Sequence, residues 1–282
     1  MISPTSLMTE TRAQLERYGL AARKSLSQNF LIDRGVLDKI IAAAGIEKAD
    51  TIIEVGPGLG ILTRALAERA GKVIAVELDR NMVSPLRETM SGVPNVEVVE
   101  RDILDTPPEF LAGNDAYKVV ANLPYYITSP TLRHFLEARR QPQSLVVMVQ
   151  KEVARQIVAR PPETSLLSVA VQFYGTPKIV SYVPAGAFYP PPKVASAILR
   201  IDVLPERRLT SDGEPAFFKL ARAGFSTRRK QLINALSSGL DTDKETGGEL
   251  LRKAGIDPKR RAETLTIDEW LQLLRAYKDN CV

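Results

Sequence analysis

The chain has 282 residues, enough for one large domain or two modest ones, and its 44% apolar and 25% charged residues are the balance of an ordinary folded protein. A single histidine, His134, and a single cysteine, Cys281, exclude disulfide frameworks, zinc clusters and any nucleophilic triad that needs a second imidazole; no metal site is expected. Lys and Arg outnumber Asp and Glu by 38 to 33, a formal charge of +5 that favours a polyanionic partner, and no apolar run approaches the roughly 18 residues of a membrane span.

The lone thiol suits a reducing compartment, and Met1 to Thr11 holds Pro4 and Glu10 without an apolar stretch, so a cytoplasmic location is expected. Asp33 is placed to cap a helix in which Val36, Leu37, Ile40 and Ile41 share one face, entered from the loop Ser27-Gln-Asn-Phe-Leu31. From residue 51 to 150, short β-branched runs alternate with helical stretches, the pattern of βαβ units and a parallel sheet. Thr51 to Val55 reads as the first strand, Ile61 to Arg69 as a helix stopped by Gly71, Lys72 to Glu77 as the second strand and Asn81 to Met90 as the next helix. Val96 to Val99 is the third strand, after the breakers Gly92 and Pro94. Tyr117 to Ala121 and Leu145 to Val149 are the fourth and fifth. Between them a helix is expected from Ser129-Pro130, serine as cap and proline at the first helical position. Ile179 to Val183 and Val194 to Val203 flank Pro190-Pro-Pro192 and suggest an added antiparallel edge. From about Pro205 helical periodicity takes over, through Phe217 to Leu236, Gly248 to Ala254 and Ile267 to Ala276. The expected organisation is an α/β domain over 1–204 and a helical domain over 205–282.

Gly56-Pro-Gly-Leu-Gly60 falls where a strand gives way to a helix, the place in an open α/β sheet where bare backbone approaches a ligand. A merely tight turn needs one glycine. The spacing lacks the two-residue gap that dinucleotide folds use to seat a pyrophosphate. Glu77 ends the second strand 21 positions after Gly56, where a carboxylate can accept from both hydroxyls of a ribose, and Asp102 closes the third, where it can accept from an adenine amine. A ribose and an adenine without a pyrophosphate cradle point to S-adenosylmethionine more than to a nicotinamide dinucleotide.

Asn122-Leu-Pro-Tyr125 follows the fourth strand at the same sheet edge. An exocyclic adenine amine is a poor nucleophile because its lone pair is delocalised, and it must pyramidalise before attacking a sulfonium methyl. Two acceptors aimed at its N–H bonds favour that change. The Asn122 side-chain oxygen and the Leu123 carbonyl can supply them, Pro124 fixing the chain direction, while Tyr125 offers a ring for the base.

Gln28-Asn-Phe-Leu31, Glu54-Val-Gly-Pro-Gly-Leu-Gly60, Glu77-Leu-Asp79, Asn122-Leu-Pro-Tyr125, Phe188-Tyr-Pro-Pro-Pro-Lys-Val194 and Phe225-Ser-Thr-Arg-Arg-Lys230 together resemble the small-subunit ribosomal RNA adenine dimethyltransferases, the KsgA/RsmA family, over about Arg23 to Leu265. The resemblance implies a class I (Rossmann-like) S-adenosylmethionine-dependent methyltransferase sheet with a small all-helical C-terminal domain. It implies dimethylation, at N6, of two adjacent adenosines near the 3′ end of 16S ribosomal RNA. The partner would be the 3′-terminal hairpin in a partly assembled small subunit, met by a monomer with no membrane association. By the same resemblance Gln28, Asn29 and Leu31 border the methionine end of the cofactor, and Gly56 and Gly58 form its loop. Glu77 with Leu78, and Asp102 with Ile103, would hold ribose and adenine. Asn122 would serve both cofactor and target base, and Phe188 would stack on the target adenine opposite Tyr125. Two stretches depart from the family: Glu163-Thr-Ser-Leu-Leu-Ser-Val169, read as ending strand-like, and Arg101, where glycine is usual. Alternatives are a 23S ribosomal RNA adenine methyltransferase of the antibiotic-resistance type, a non-catalytic RNA- or DNA-binding factor on the same fold, and a dinucleotide-dependent oxidoreductase. Gly56 to Gly60 with Pro190 to Lys193 count against the first, and intact Glu77, Asn122 and Tyr125 against the second. The missing pyrophosphate pattern counts against the third.

For RNA, Arg228-Arg-Lys230 after Phe225 is expected at a helix start, where cations oppose the positive end of the helix dipole and phosphates would compensate. Lys259-Arg-Arg261 and Arg23-Lys24 are weaker candidates. His134 and Cys281 are given no catalytic role.

Overall fold

The structure, a computed structural model, describes residues 6–20, 28–210, 212–227 and 229–279. Five parallel strands form most of the sheet: β2 (Thr51–Val55), β3 (Lys72–Glu77), β4 (Val96–Glu100), β5 (Tyr117–Asn122) and β6 (Ser144–Gln150). β9 (Ser196–Val203) runs antiparallel to β6, pairing Gln150 with Ser196, and β7 (Gly175–Val183) lies outside it, giving the order β4-β3-β2-β5-β6-β9-β7. The near-continuous apolar runs of β2, β3, β5 and β6 are those of strands buried on both faces, whereas β4, at an edge, is only half-buried. The order reverses between β2 and β5, which opens a crevice at their carboxyl ends.

The helices are set by local chemistry. Asp33 accepts from the Val36 N–H and starts α2 (Arg34–Ala44), which buries Val36, Leu37, Ile40 and Ile41. Asp79 accepts from the Asn81 N–H at the start of α4 (Arg80–Met90). Such caps are each worth about 1 kcal/mol. α3 (Ile61–Ala67) ends before Gly71, and Gly71 serves packing instead: a Cβ there would lie 2.5 Å from the Lys48 carbonyl. α6 (Thr128–Glu137) begins one residue before Ser129 without a side-chain cap, because a 3-10 turn over Tyr125–Ile127 leads directly into it. Pro130 still falls in the first turn, where a missing N–H costs nothing.

A two-stranded ribbon, which no local feature of the sequence announces, stands apart from the main sheet. β1 (Phe30–Leu31) pairs antiparallel with β8 (Phe188–Tyr189), Leu31 opposite Phe188. It joins two motifs separated by more than half the chain.

Two compact units are formed, Met1–Ala154 with Thr176–Val203, and Arg155–Gly175 with Leu204–Val282. The helical unit thus includes a segment assigned by sequence to the first domain. Within that segment the stretch read as strand-like is α8 (Leu166–Tyr174): Ser165 and Ser168 form a reciprocal capping box, a stronger local signal than the β-branched Val169. Its Phe173 packs on Phe217 of α9 (Glu214–Phe225), ring centroids 4.3 Å apart, and Trp270 of α12 (Ile267–Asp279) is fully buried against Gly224.

Candidate active site

A pocket of about 240 Å³ opens at the carboxyl ends of β2, β3 and β5, wholly within the first unit. Every residue singled out for the cofactor lines it: Gln28, Asn29, Leu31, Gly56, Gly58, Glu77, Leu78, Asp102, Ile103 and Asn122, joined by Leu123, Pro124 and Tyr125.

The three glycines of the loop all have positive φ, 67°, 55° and 81° for Gly56, Gly58 and Gly60, which side chains rarely adopt. Their neighbours differ. A Cβ on Gly60 would sit 2.8 Å from both Leu86 Cδ1 and Met90 Cε, and one on Gly58 3.2 Å from Phe30 Cε1, so these two positions are closed by the protein itself. At Gly56 the nearest atom is Pro124 Cδ at 3.7 Å, which makes it the position where bare backbone meets the pocket.

Glu77 is buried, and its carboxylate ties the loop together: Oε2 accepts from the Gly58 N–H (3.1 Å) and Oε1 from the Asp79 N–H (2.8 Å). Burial pushes its carboxyl above the ordinary value, and the two N–H bonds pull part of the way back. Gln28 donates to Asp79 Oδ2 (3.0 Å), bringing the first motif onto the third strand turn. Asp102 uses Oδ1 to accept from the Leu104 N–H (2.9 Å), which leaves Oδ2 for a ligand. Leu78, 51% exposed at the pocket wall, is an apolar surface awaiting a flat partner.

Glu54, which the sequence reading quoted only as part of a motif, lies at the pocket floor, 1% exposed, with Oε2 unpartnered. Burial pushes its carboxyl up to about 8, with Thr63 opposing the rise and the Glu77 charge adding to it. Strand alternation does not reveal such a residue, because β2 is buried on both faces. Glu77, Asp79 and Asp102 make an acidic wall above it, suited to a cationic ligand.

At the end of β5, Asn122 Nδ2 donates to the Asn29 carbonyl (3.1 Å). A carbonyl only accepts, so the amide orientation is fixed and Oδ1 is the group left for a ligand. Tyr125 Oη lies 2.7 Å from Ser196 Oγ, which anchors the ring on β9; burial raises its hydroxyl pKa and Ser196 offsets part of that. Tyr126, 53% exposed, also lines the pocket, and burial together with the Asp102 and Glu77 charges pushes its hydroxyl up. Arg101 lines the pocket too, its guanidinium 4.6 Å from the Phe110 ring centroid.

Phe188 is not brought to the pocket. Phe188 is 2% exposed and belongs to the apolar core that also holds Leu31, Leu37 and Ile40, because pairing with Leu31 turns it inward beneath the ribbon. Stacking on a base would require that ribbon to open.

In the helical unit, Arg229 and Lys230 are exposed in the turn between α9 and α10 (Leu232–Leu240), and Arg228 lies outside the described residues. Arg229 and Lys230 lie just ahead of Gln231, the N-cap of α10, so the cations expected at a helix start do stand at the positive end of its dipole, where phosphates would compensate them. Arg260 is structural: it pairs with Glu269 and holds that carboxyl below the ordinary range, while Arg261 reaches Glu263 at 3.7 Å. Arg23, Lys24 and Cys281 lie outside the described residues, and His134 bonds the Thr106 carbonyl away from the pocket. Among the described residues, no three His, Cys, Asp or Glu side chains are grouped to hold a metal, and no helix is long and apolar enough to cross a membrane.

A family model described as ribosomal RNA adenine dimethylase matches residues 19–279. The chain is 55% identical to the ribosomal RNA small subunit methyltransferase A of Dehalococcoides mccartyi (strain CBDB1), over 99% of this chain and 96% of that one. It is 45% identical to the protein of the same name from Pelotomaculum thermopropionicum, over 95% of each. Among solved structures it is similar to a dimethyladenosine transferase from Plasmodium falciparum (27% identity, TM-score 0.78, covering 90% of this chain and 98% of that one). It is also similar to the 23S rRNA methyltransferase ErmE (29% identity, TM-score 0.71, covering 89% and 100%). With these neighbours and its own sheet order, the chain has the class I methyltransferase fold with a helical C-terminal part. The chain belongs to the ribosomal RNA adenine dimethylase family.

Proposed function

We propose that this protein transfers methyl groups from S-adenosylmethionine to the N6 amines of two adjacent adenosines near the 3′ end of 16S ribosomal RNA, giving N6,N6-dimethyladenosines. The observation that carries the reading is the fixed amide of Asn122, which directs an acceptor oxygen into a pocket whose other wall is acidic. The cofactor, when bound, supplies an electrophilic methyl on a sulfonium.

The residues fit that cofactor. Glu77, buried and held by two backbone N–H groups, would take the ribose hydroxyls, and Asp102 Oδ2 would take the adenine amine, with Leu78 and Ile103 as the apolar residues beside it. Bare backbone at Gly56 and the Gln28 to Leu31 loop close around the methionine end. Asn122 Oδ1 and the Leu123 carbonyl accept the two N–H bonds of the target amine and favour its pyramidal form, with Pro124 orienting the carbonyl and Tyr125 stacking on the base. No general base is required: as the N6–C bond forms and the S–C bond of the bound cofactor would break, the positive charge passes to the amine nitrogen, whose proton is then acidic enough to leave to water.

Relatives named for the small subunit, at up to 55% identity over nearly the full chain, favour this substrate over the 23S reading, whose structural representative is 29% identical. Arg228, Arg229 and Lys230 are assigned to RNA phosphates. The substrate is the 3′-terminal hairpin in a partly assembled subunit, acted on by a monomer in the cytoplasm.

The test is transfer of tritiated methyl groups to small subunits that lack the modification, followed by nucleoside identification. N6,N6-dimethyladenosine at two adjacent positions is expected; label in large-subunit RNA alone would overturn the reading.

A further inference from the structure

β7 carries two large side chains in solvent on one face, Val180 and Tyr182, 41% and 52% exposed at alternate positions. Lys151, the residue after β6, holds its ammonium 5.2 Å from the Tyr182 ring centroid and makes no ion pair with a carboxylate among the described residues. The backbone N–H of Lys151 donates to the Ala195 carbonyl (3.0 Å). Ala195 adjoins Ser196, whose hydroxyl lies 2.7 Å from Tyr125 Oη. Val194, 46% exposed, sits on the same loop. An aromatic ring, a free cation and an apolar edge therefore continue from the base end of the pocket along the carboxyl edge of the sheet.

An exposed ring beside an unneutralised ammonium is the pairing that holds an unpaired nucleotide, the ring taking the base and the cation its phosphate. Removing one base from a stack uncovers a face of its neighbour, which then needs a new partner. We propose that Tyr182 and Lys151 bind the nucleotide next to the one in the pocket, Tyr182 stacking on its base and Lys151 meeting its phosphate. This rests on the reading that the pocket takes an adenosine out of RNA. Neither residue carries the transfer itself, and both act by placing the strand.

The experiment compares wild type, Tyr182→Ala, Tyr182→Phe and Lys151→Gln in their affinity for a synthetic hairpin holding the two adenosines, with and without a base at the position beside the target. Tyr182→Ala should lose roughly 5- to 150-fold in affinity, the range of one base–aromatic stack, while Tyr182→Phe stays near wild type. Removing the neighbouring base should cost wild type a similar factor and Tyr182→Ala nothing further. Lys151→Gln should lower the salt slope by about 0.7. Melting temperature and affinity for S-adenosylhomocysteine should not change in any variant. Equal losses in wild type and Tyr182→Ala on base removal, or no loss in either, would overturn the proposal. Wild type that methylates no small-subunit adenosine would instead overturn the reading it rests on, and this inference with it.

Discussion

Phe188 offers the sharpest separation of two roles that sequence alone left together. It is 2% exposed and belongs to the apolar core that also holds Leu31, Leu37 and Ile40 beneath the β1–β8 ribbon, so truncation removes a buried side chain. Phe188→Ala should cost about 3–5 kcal/mol, and at about 2–4 °C per kcal/mol for a domain of this size the melting temperature should fall by roughly 6–20 °C. Phe188→Leu refills most of the apolar volume without an aromatic face and should cost only about 1–2 kcal/mol. Thermal unfolding followed by circular dichroism, with methyl transfer measured well below the transition, checks both. The core account expects Phe188→Leu to keep a rate within a few-fold of wild type. If Phe188→Leu melts near wild type and binds cofactor normally, yet transfers methyl at least tenfold more slowly, the ring faces a base during turnover. The loss of one stack, about 1–3 kcal/mol, predicts a deficit of that order, and the packing account is refuted.

The glycine loop makes a paired prediction: Gly60→Ala, whose Cβ would meet Leu86 and Met90 at 2.8 Å, should lower stability by about 1–3 kcal/mol while sparing cofactor affinity at low temperature. Gly56→Ala should weaken S-adenosylhomocysteine binding more than stability, and calorimetry of both variants reads the contrast. Glu54 has a folded pKa raised from 4.5 to about 8, so its neutral form stabilises the fold below pH 4.5 and that contribution is lost as pH rises toward 8. The stability of Glu54→Gln relative to wild type should therefore climb between pH 5 and 8 in denaturant titrations, and a difference independent of pH would count against a protonated Glu54. Replacing Arg229 and Lys230 by glutamine should reduce the salt slope of RNA binding by about 1–2, and an unaltered slope would move the phosphate contacts elsewhere.

The sheet was legible because β2, β3, β5 and β6 are continuous apolar runs bounded by turn residues, and the cofactor wall because acids stood at two strand ends after a glycine-rich turn. What escaped were features made by distant pairing. Nothing local in Phe30-Leu31 or Phe188-Tyr189 announces a two-residue ribbon, yet that ribbon turns Phe188 inward. Glu54 was hidden for a related reason, since a strand buried on both faces carries no alternation to show which side faces a pocket. Leu166 to Tyr174 misled by its Leu-Ser-Val composition: the Ser165–Ser168 capping box decides the conformation, and composition does not report a reciprocal cap.

At the centre of the account are two acceptors at the end of β5 that hold the target amine, Asn122 Oδ1 foremost. The direct measurement is single-turnover methyl transfer to unmodified small subunits by Asn122→Ala, with S-adenosylhomocysteine affinity determined on the same preparation. Cofactor affinity within a few-fold of wild type and a transfer rate lower by about 10²–10³ is the predicted outcome, the scale seen when one oriented group at a reacting centre is removed. Transfer at the wild-type rate would contradict it.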